Sequence, residues 1–203
     1  MFHRARPAAL GGALVLALTL GLSACKAEEP VPAASESTSA SATPTVSPSK
    51  ADPAEEAKTR NIADAKQRYI EFRQISDRYA KKGKDPFWEL MNNGYLGNAD
   101  IQASQQSYWQ QVTELKLKQT GQASVVSVEA TGYDGDPLDE SVQGQRVHFR
   151  VCVDNSDKDV VRPDGTSALQ KGDSRRVEMG AVMQGQSSGL WSVVETAPTG
   201  KDC

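Results

Sequence analysis

The sequence predicts an α+β domain, with N-terminal helices packed on a curved antiparallel sheet, preceded by a signal peptide and a disordered tether. Two features predict the domain. Apolar residues recur every three or four positions up to about residue 118 and every second position after about residue 123, which indicates helices followed by strands. A third feature, the change in composition near residue 57, separates the domain from a preceding tract that lacks aromatic residues.

The charge balance of the chain argues against one broad class of function. The 203 residues include 26 acidic and 23 basic side chains, which gives a formal net charge of −3. A nucleic-acid-binding protein is expected to be strongly basic, so we predict no nucleic-acid partner. The predicted domain, residues 58–203, is nearly neutral, so we also expect no partner held mainly by charge.

The N-terminus has the parts of an export signal. Arg4 and Arg6 precede an uncharged apolar run at 8–24 that ends in small residues and is near the lower length limit for a membrane span. The stretch LSAC at 22–25 resembles the lipobox of bacterial lipoproteins. This resemblance implies that residues 1–24 are a signal peptide, cut before a Cys25 that carries diacylglycerol.

The predicted lipid fixes the location of the protein. Two or more acyl chains anchor a protein stably, at about 0.8 kcal/mol per buried CH₂ group. We therefore expect a lipid-anchored protein on the extracytoplasmic face of the cell membrane. The alternative is an uncleaved signal anchor in which Cys25 is incidental, and it places the domain on the same side.

Residues 25–57 are predicted to be the lipidated cysteine followed by a disordered tether. The tract after Cys25 is rich in Ser, Thr, Pro and Ala and has no apolar periodicity, so it offers too little apolar surface to offset the entropy of ordering. Its prolines, including Pro53, are expected to interrupt helices. A docking peptide is the alternative, but no charge run or aromatic pattern supports it.

Three helices are predicted at the start of the domain. The first ends near Gly83, after a cluster of lysines, and the second starts at Asp85 and Pro86. The third is predicted over 100–118. One apolar stripe of the first helix contains Ile62, Ala65, Tyr69, Phe72, Ile75 and Tyr79. One face of the third contains Ile101, Tyr108, Val112 and Leu115.

The remainder of the chain has the period of strands. Strands are predicted at 123–133, 146–155, 175–184 and 189–197, with a shorter one before the turn at 163–165. In the second of these, valines and a phenylalanine alternate with polar residues, so one face is buried. His148 and Cys152 belong to the other face.

The order of elements resembles a known family. Three helices followed by four or more strands, together with VCVDNSD, PDG, LWSVVE and the final Cys, resemble the NTF2-like cone fold. They resemble in particular the envelope-tethered NTF2-like lipoproteins and Mce-associated proteins of Gram-positive bacteria. The resemblance implies an accessory or scaffolding domain with an envelope protein partner. Domains of this family also often form a homodimer through the sheet.

Cys152 and Cys203 remain once Cys25 is assigned to the lipid. Two thiols in an exported domain predict a disulfide. A metal or redox site is the alternative, but the chain has no CxxC, and His148 is the single histidine after the signal peptide. The disulfide would hold the C-terminal tail on the outer side or rim of the sheet.

The sequence offers no catalytic set. His148 should point away from the cone, and the acidic residues at 154–159 lack the spacing of a calcium loop. We therefore predict no enzymatic activity, no cofactor and no metal. One alternative is the binding of a small apolar ligand in the cone, and a less favoured one is a SnoaL-like enzyme. The residues expected to line such a pocket, if they are not simply core, are Tyr69, Phe72, Trp88 and Tyr108.

Overall fold

Helices precede strands in the computed structural model, which describes residues 52–170, 172 and 175–203. The helices are α1 Pro53–Lys82, α2 Phe87–Asn92 and α3 Ala99–Glu114. The strands are β1 Lys118–Thr120, β2 Ser124–Asp134, β3 Arg146–Asp154, β4 Asp159–Val161, β5 Arg176–Gly185 and β6 Trp191–Pro198. The predicted α+β class is confirmed. The predicted signal peptide, the lipid site at Cys25 and the tether up to residue 51 lie outside the described residues.

The first helix begins inside the predicted tether. Asp52 is its N-cap and accepts a hydrogen bond from the Ala54 amide at 2.9 Å. Pro53 occupies the first turn, where a missing N–H costs no intrahelical hydrogen bond. The carboxylates of Glu55 and Glu56 lie in the same turn and stabilise the positive end of the helix dipole. The prediction that residues 53–57 are disordered is therefore wrong, because Pro53 starts a helix here instead of interrupting one.

The predicted end of the first helix is confirmed, and that of the third is wrong. Gly83 has φ 60° and donates its N–H to the Ala80 carbonyl at 3.0 Å, which closes α1. The third helix stops at Glu114 because Lys116 has φ 48°, which a helix cannot contain. The residues that follow form β1 instead of a last helical turn.

Four strands form one antiparallel sheet in the order β2-β3-β5-β6. Its register shifts lie between Val125 and Ser127, between Ala130 and Gly132, and between Val182 and Met183. Irregularities of this kind bend a sheet, and this sheet is curved and does not close into a barrel. A separate pair, β1 with β4, lies outside it.

The core lies between α1 and one face of the curved sheet. In β3 the alternation is as predicted: Val147, Phe149, Val151 and Val153 are all buried in this core. The helices contribute Tyr69, Phe72, Ile75 and Trp109, among others, to the buried set.

The predicted apolar face of α3 is partly wrong. Ile101 and Val112 are buried, but Tyr108 is 50% exposed and Leu115 is 60% exposed. The buried aromatic residue of this helix is Trp109, and its ring meets that of Tyr108 edge-on, with centroids 4.9 Å apart. The third helix therefore buries Ile101 and Val112 as predicted, with Trp109 in place of Tyr108.

Candidate functional site

A cleft of about 700 Å³ lies beside α1, with α3 on one side and the ends of several strands on the other. Its lining comes from Ile70, Phe72, Arg73, Gln74, Ser76, Asp77, Ala80, Gln105, Tyr108, Trp109, Gln119, Gln122, Ala123, Ser124, Val125, Val153, Lys158, Met179, Thr196 and Pro198. We call it the α1–α3 cleft. Most of its exposed lining surface is apolar.

The apolar wall of the α1–α3 cleft is continuous with the core. Phe72 belongs to the buried core of α1, and Val153 ends the buried face of β3. Val125 on β2 and Met179 on β5 are partly buried and pack against the same core. The wall is therefore built from a helix and three neighbouring strands, and such elements hold their side chains more firmly than loops do.

Three charged side chains line the cleft, and one of them is already neutralised. The Asp77 carboxylate forms an ion pair with Lys81 at 2.8 Å and accepts a hydrogen bond from the Gln119 amide. Arg73 and Lys158 also line the cleft. Neither of these two side chains makes an ion pair or a hydrogen bond within the part of the chain that the structure describes, so the cleft has an excess of positive charge.

The electrostatics of Lys158 and Tyr108 both involve Arg73. Burial lowers the pKa of the Lys158 ammonium, the Arg73 guanidinium lowers it further, and the Asp77 carboxylate opposes both effects. Burial raises the pKa of the Tyr108 phenol, although half of the residue is exposed, and Arg73 opposes this rise. Arg73 therefore lies within electrostatic reach of both residues.

The backbone at Gly121 helps to place Lys158. Gly121 has φ 67°, and a Cβ atom there would overlap the carbonyl oxygen of Asp157. The turn before β4 thus lies directly against the turn after β1, and Thr120 pairs with Asp159. This close approach brings Lys158 to the cleft, opposite residues of α1.

Of the four residues predicted to line a pocket, two line this cleft. Phe72 lies in its wall and Tyr108 at its exposed side. Tyr69 is fully buried in the core, and Trp88 is 69% exposed and lies away from the cleft. The short helix α2 buries Phe87 instead, and the next residue of a helix points about 100° away, so Trp88 faces outward.

Sequence reasoning missed Arg73 and Lys158. Arg73 is polar on an amphipathic helix, and Lys158 lies in a turn, so each resembles an ordinary solvated residue. A weak signal existed for Arg73, since it follows Ile70 by three positions and precedes Asp77 by four, on a stripe next to the apolar one. No signal in the sequence places Lys158 beside it.

The predicted disulfide is present in the structure. Cys152 and Cys203 are bonded, with their Cα atoms 5.7 Å apart. The tail continues beside β5, where Thr199 donates its N–H to the Glu178 carbonyl at 3.0 Å. Because Val153 and Pro198 line the cleft next to these two segments, the disulfide fastens the sheet side of the cleft rim.

His148 lies outside the cleft. Its Nε2 is 2.8 Å from the Asp134 carboxylate, and the pair is largely exposed. Within residues 52–170, 172 and 175–203, no group of three His, Cys, Asp or Glu side chains is placed to hold a metal ion.

No protein-family model matches the chain, and no curated protein matches it at a significant level. Among the described helices, none has both the length and the apolar character that crossing a membrane requires. Function is therefore inferred from the α1–α3 cleft and from the N-terminal sequence at 1–57.

Proposed function

We propose that this protein is a lipid-anchored extracytoplasmic lipoprotein whose folded domain binds a small, largely apolar molecule in the α1–α3 cleft. The observation that supports the binding role is the cleft itself. Its volume of about 700 Å³ falls within the range of about 300–1,000 Å³ typical of small-molecule sites. An apolar wall with a few polar groups at its edge is the usual composition of such sites.

The proposal assigns no catalytic step to the domain. General acid–base catalysis needs a titratable group that is free to exchange a proton with the substrate. The carboxylate of the cleft, Asp77, is engaged by Lys81 and Gln119, and the cleft lining contains no histidine or cysteine, so Lys158 and Tyr108 are the groups left to act as an acid or a base. Neither makes a side-chain hydrogen bond to a second titratable group among the described residues, and this favours binding over turnover.

The fold proposal follows from the same elements. Helices that precede the strands, with α1 packed on a curved antiparallel sheet, support an NTF2-like cone. The role as an accessory or scaffolding subunit of an envelope assembly, and a homodimer through the sheet, stay predictions from the sequence. The enzyme alternative would depend on Lys158 or Tyr108 and is not proposed.

The binding role is tested with N-phenyl-1-naphthylamine, a neutral apolar fluorophore. The chain is produced from residue 26, without the apolar run at 8–24 or the lipidated Cys25, so that it needs no detergent and keeps every described residue. We expect saturable fluorescence enhancement with one site per chain. Gln74→Trp should reduce the affinity at least tenfold, because Gln74 is exposed at the cleft lining and the indole would fill the cleft.

Gln67→Trp is the matched control. Gln67 is also exposed on α1 but is absent from the cleft lining, so its replacement should leave the affinity unchanged. If the fluorophore does not bind, or if both variants behave as the parent chain does, the proposed binding role is wrong.

The anchor is tested separately in cells. The parent chain should be in the membrane fraction, with residues 1–24 removed and a mass increment that corresponds to diacylglycerol on Cys25. Cys25→Ser should abolish both the cleavage and the mass increment. A Cys25→Ser protein that stays in the membrane fraction with the same size as the parent would contradict the lipoprotein assignment.

A further inference from the structure

Two cations line the α1–α3 cleft without a partner in the described part of the chain. Arg73 comes from the middle of α1, and Lys158 from the turn before β4. Both are partly buried rather than fully solvated. Like charges that approach each other in a partly desolvated place repel one another more strongly than they would in water.

We propose that the ligand of the cleft is an amphipathic anion, with its acidic headgroup held between Arg73 and Lys158 and its apolar part against Phe72, Val153 and Met179. This inference rests on the proposed binding role and names the class of ligand. The headgroup is a carboxylate or a phosphate monoester, since both present the oxygens that a guanidinium binds through two parallel hydrogen bonds.

The charge balance of the cleft favours an anion over a neutral or cationic ligand. Asp77 is the acidic residue in the lining, and Lys81 offsets its charge from outside it. A ligand cation would therefore meet a net positive cleft whose one carboxylate is already paired. A ligand anion would remove the repulsion between Arg73 and Lys158 and satisfy the hydrogen-bond donors of both.

The apolar wall distinguishes an amphipathic anion from a small inorganic one. Phosphate or sulfate could bind the two cations, but it would leave the Phe72, Val153 and Met179 surface unfilled. A ligand binds more tightly in proportion to the apolar surface that it removes from water. A molecule that contacts both parts of the cleft gains from both.

Arg73 and Lys158 also have a simpler interpretation as solvated side chains whose stems cover apolar surface. That interpretation predicts no preference for anions. The effect of burial and of Arg73 on the Lys158 pKa is instead what two cations at a shared, partly desolvated site produce. A comparison of anionic, neutral and cationic ligands distinguishes the two interpretations.

The test is isothermal titration calorimetry on the chain produced from residue 26, with four probes of one chain length: decanoate, decyl phosphate, decan-1-ol and decyltrimethylammonium. We expect the better of the two anions to bind at least tenfold more tightly than decan-1-ol, and the cation to bind least. The headgroup that binds better identifies the source, with decanoate representing a free fatty acid and decyl phosphate representing a lipid that ends in a phosphate monoester.

The variant Arg73→Gln/Lys158→Gln should lose at least tenfold in affinity for the anions and nothing for decan-1-ol. The single variants should each lose part of this, which keeps the test valid if the double variant folds poorly. Arg60→Gln/Lys84→Gln is the control, because it removes one arginine and one lysine that are exposed and lie outside the cleft lining. It should bind every probe as the parent does.

Equal binding of the anions and decan-1-ol, in parent and variant alike, would overturn the anion inference and leave the binding role intact. The anion inference would also be overturned, with the binding role intact, if N-phenyl-1-naphthylamine binds and neither decyl anion does. Loss of the fluorophore signal itself would overturn the binding role instead, so the two failures are distinguishable.

Discussion

The hydroxyl of Tyr133 accepts a hydrogen bond from the side-chain amide of Asn61 at 2.8 Å and so links the end of β2 to α1. The same hydroxyl donates to the side-chain oxygen of Gln145, a buried residue. The side-chain N–H of Gln145 donates in turn to the Asp139 carbonyl at 2.8 Å. The phenol thus bonds two side chains, which also bond each other at 3.1 Å. The hydroxyl of Tyr69 differs, since it is buried without a hydrogen-bond partner among the described residues.

This difference predicts opposite effects of one substitution at two tyrosines. Tyr133→Phe should lower the free energy of unfolding by about 0.5–1.5 kcal/mol, because it removes two hydrogen bonds from the network while Asn61 still donates to the Gln145 side-chain oxygen at 3.1 Å. Tyr69→Phe should leave stability unchanged or raise it, because it removes a buried hydroxyl that makes no hydrogen bond. Urea unfolding of both variants measures this, and a loss at Tyr69 as large as that at Tyr133 would contradict it.

The disulfide should matter for stability and for the cleft together. Breaking a cross-link between residues 51 apart is expected to cost about 2–4 kcal/mol. Cys152→Ala/Cys203→Ala should therefore lower the urea midpoint. It should also weaken binding of N-phenyl-1-naphthylamine, because the segments that contribute Val153 and Pro198 to the cleft lose their fastening.

Reduction supplies the control for this prediction. Dithiothreitol should shift the parent chain to the behaviour of the double variant and should leave the variant unchanged. A lower urea midpoint with unchanged fluorophore affinity would show that the disulfide stabilises the fold without shaping the cleft.

Gly121 should be far less tolerant of substitution than Gly165, although both have positive φ, at 67° and 82°. At Gly165 a Cβ atom meets no heavy atom within 4 Å, so Gly165→Ala should cost about 1–2 kcal/mol from backbone strain alone. Gly121→Ala adds a collision with the Asp157 carbonyl, which must move. We expect a larger loss of stability there and, because Lys158 is the next residue, weaker binding of the amphipathic anion.

The comparison of Gly121→Ala with Gly165→Ala separates the steric clash with Asp157 from the backbone strain that both variants share. Both variants are assayed by urea unfolding and by decanoate titration. Similar losses of stability in the two, with decanoate affinity unaltered in both, would show that the approach of Asp157 to Gly121 does not position the cation.

Much of the fold could be predicted because its signals are local. The alternation in β3 placed His148 on the outer face and Val151 in the core, since a half-buried strand repeats every two residues. Gly83 ended the first helix as predicted. Pro53 was misjudged because the same residue breaks a helix interior and favours a first turn, and the N-cap at Asp52 decides between the two.

The pairing of β1 with β4 and the cations of the cleft could not be predicted, because they depend on contacts between distant parts of the chain. Strands of three residues are too short to show a period. Arg73 and Lys158 line the same cleft because that pairing, and the close approach at Gly121, bring the turn before β4 to α1. The disulfide was predicted from cysteine count and the export signal, without knowledge of the sheet.

The charge on Lys158 should make stability depend on pH in the alkaline range. Its pKa is lowered from the ordinary 10.5 by burial and by Arg73, against the opposing effect of Asp77, which Lys81 partly offsets. Between the lowered pKa and 10.5 the unfolded chain holds a proton at Lys158 that the folded chain has released, so stability rises with pH in that window. Below the window, the protonated Lys158 destabilises the folded state.

Lys158→Met should therefore be more stable than the parent chain at pH 7, and its advantage should shrink as the pH rises towards 10.5. The quantity to compare is the difference in unfolding free energy between variant and parent. The raised pKa of Tyr108 makes the stability of both proteins fall with pH above about pH 10, and this effect cancels in the difference. Urea unfolding at intervals from pH 7 to 10.5 measures the difference, with Lys84→Met as the control at an exposed lysine. A difference that stays constant with pH would show that the folded environment leaves the titration of Lys158 unchanged.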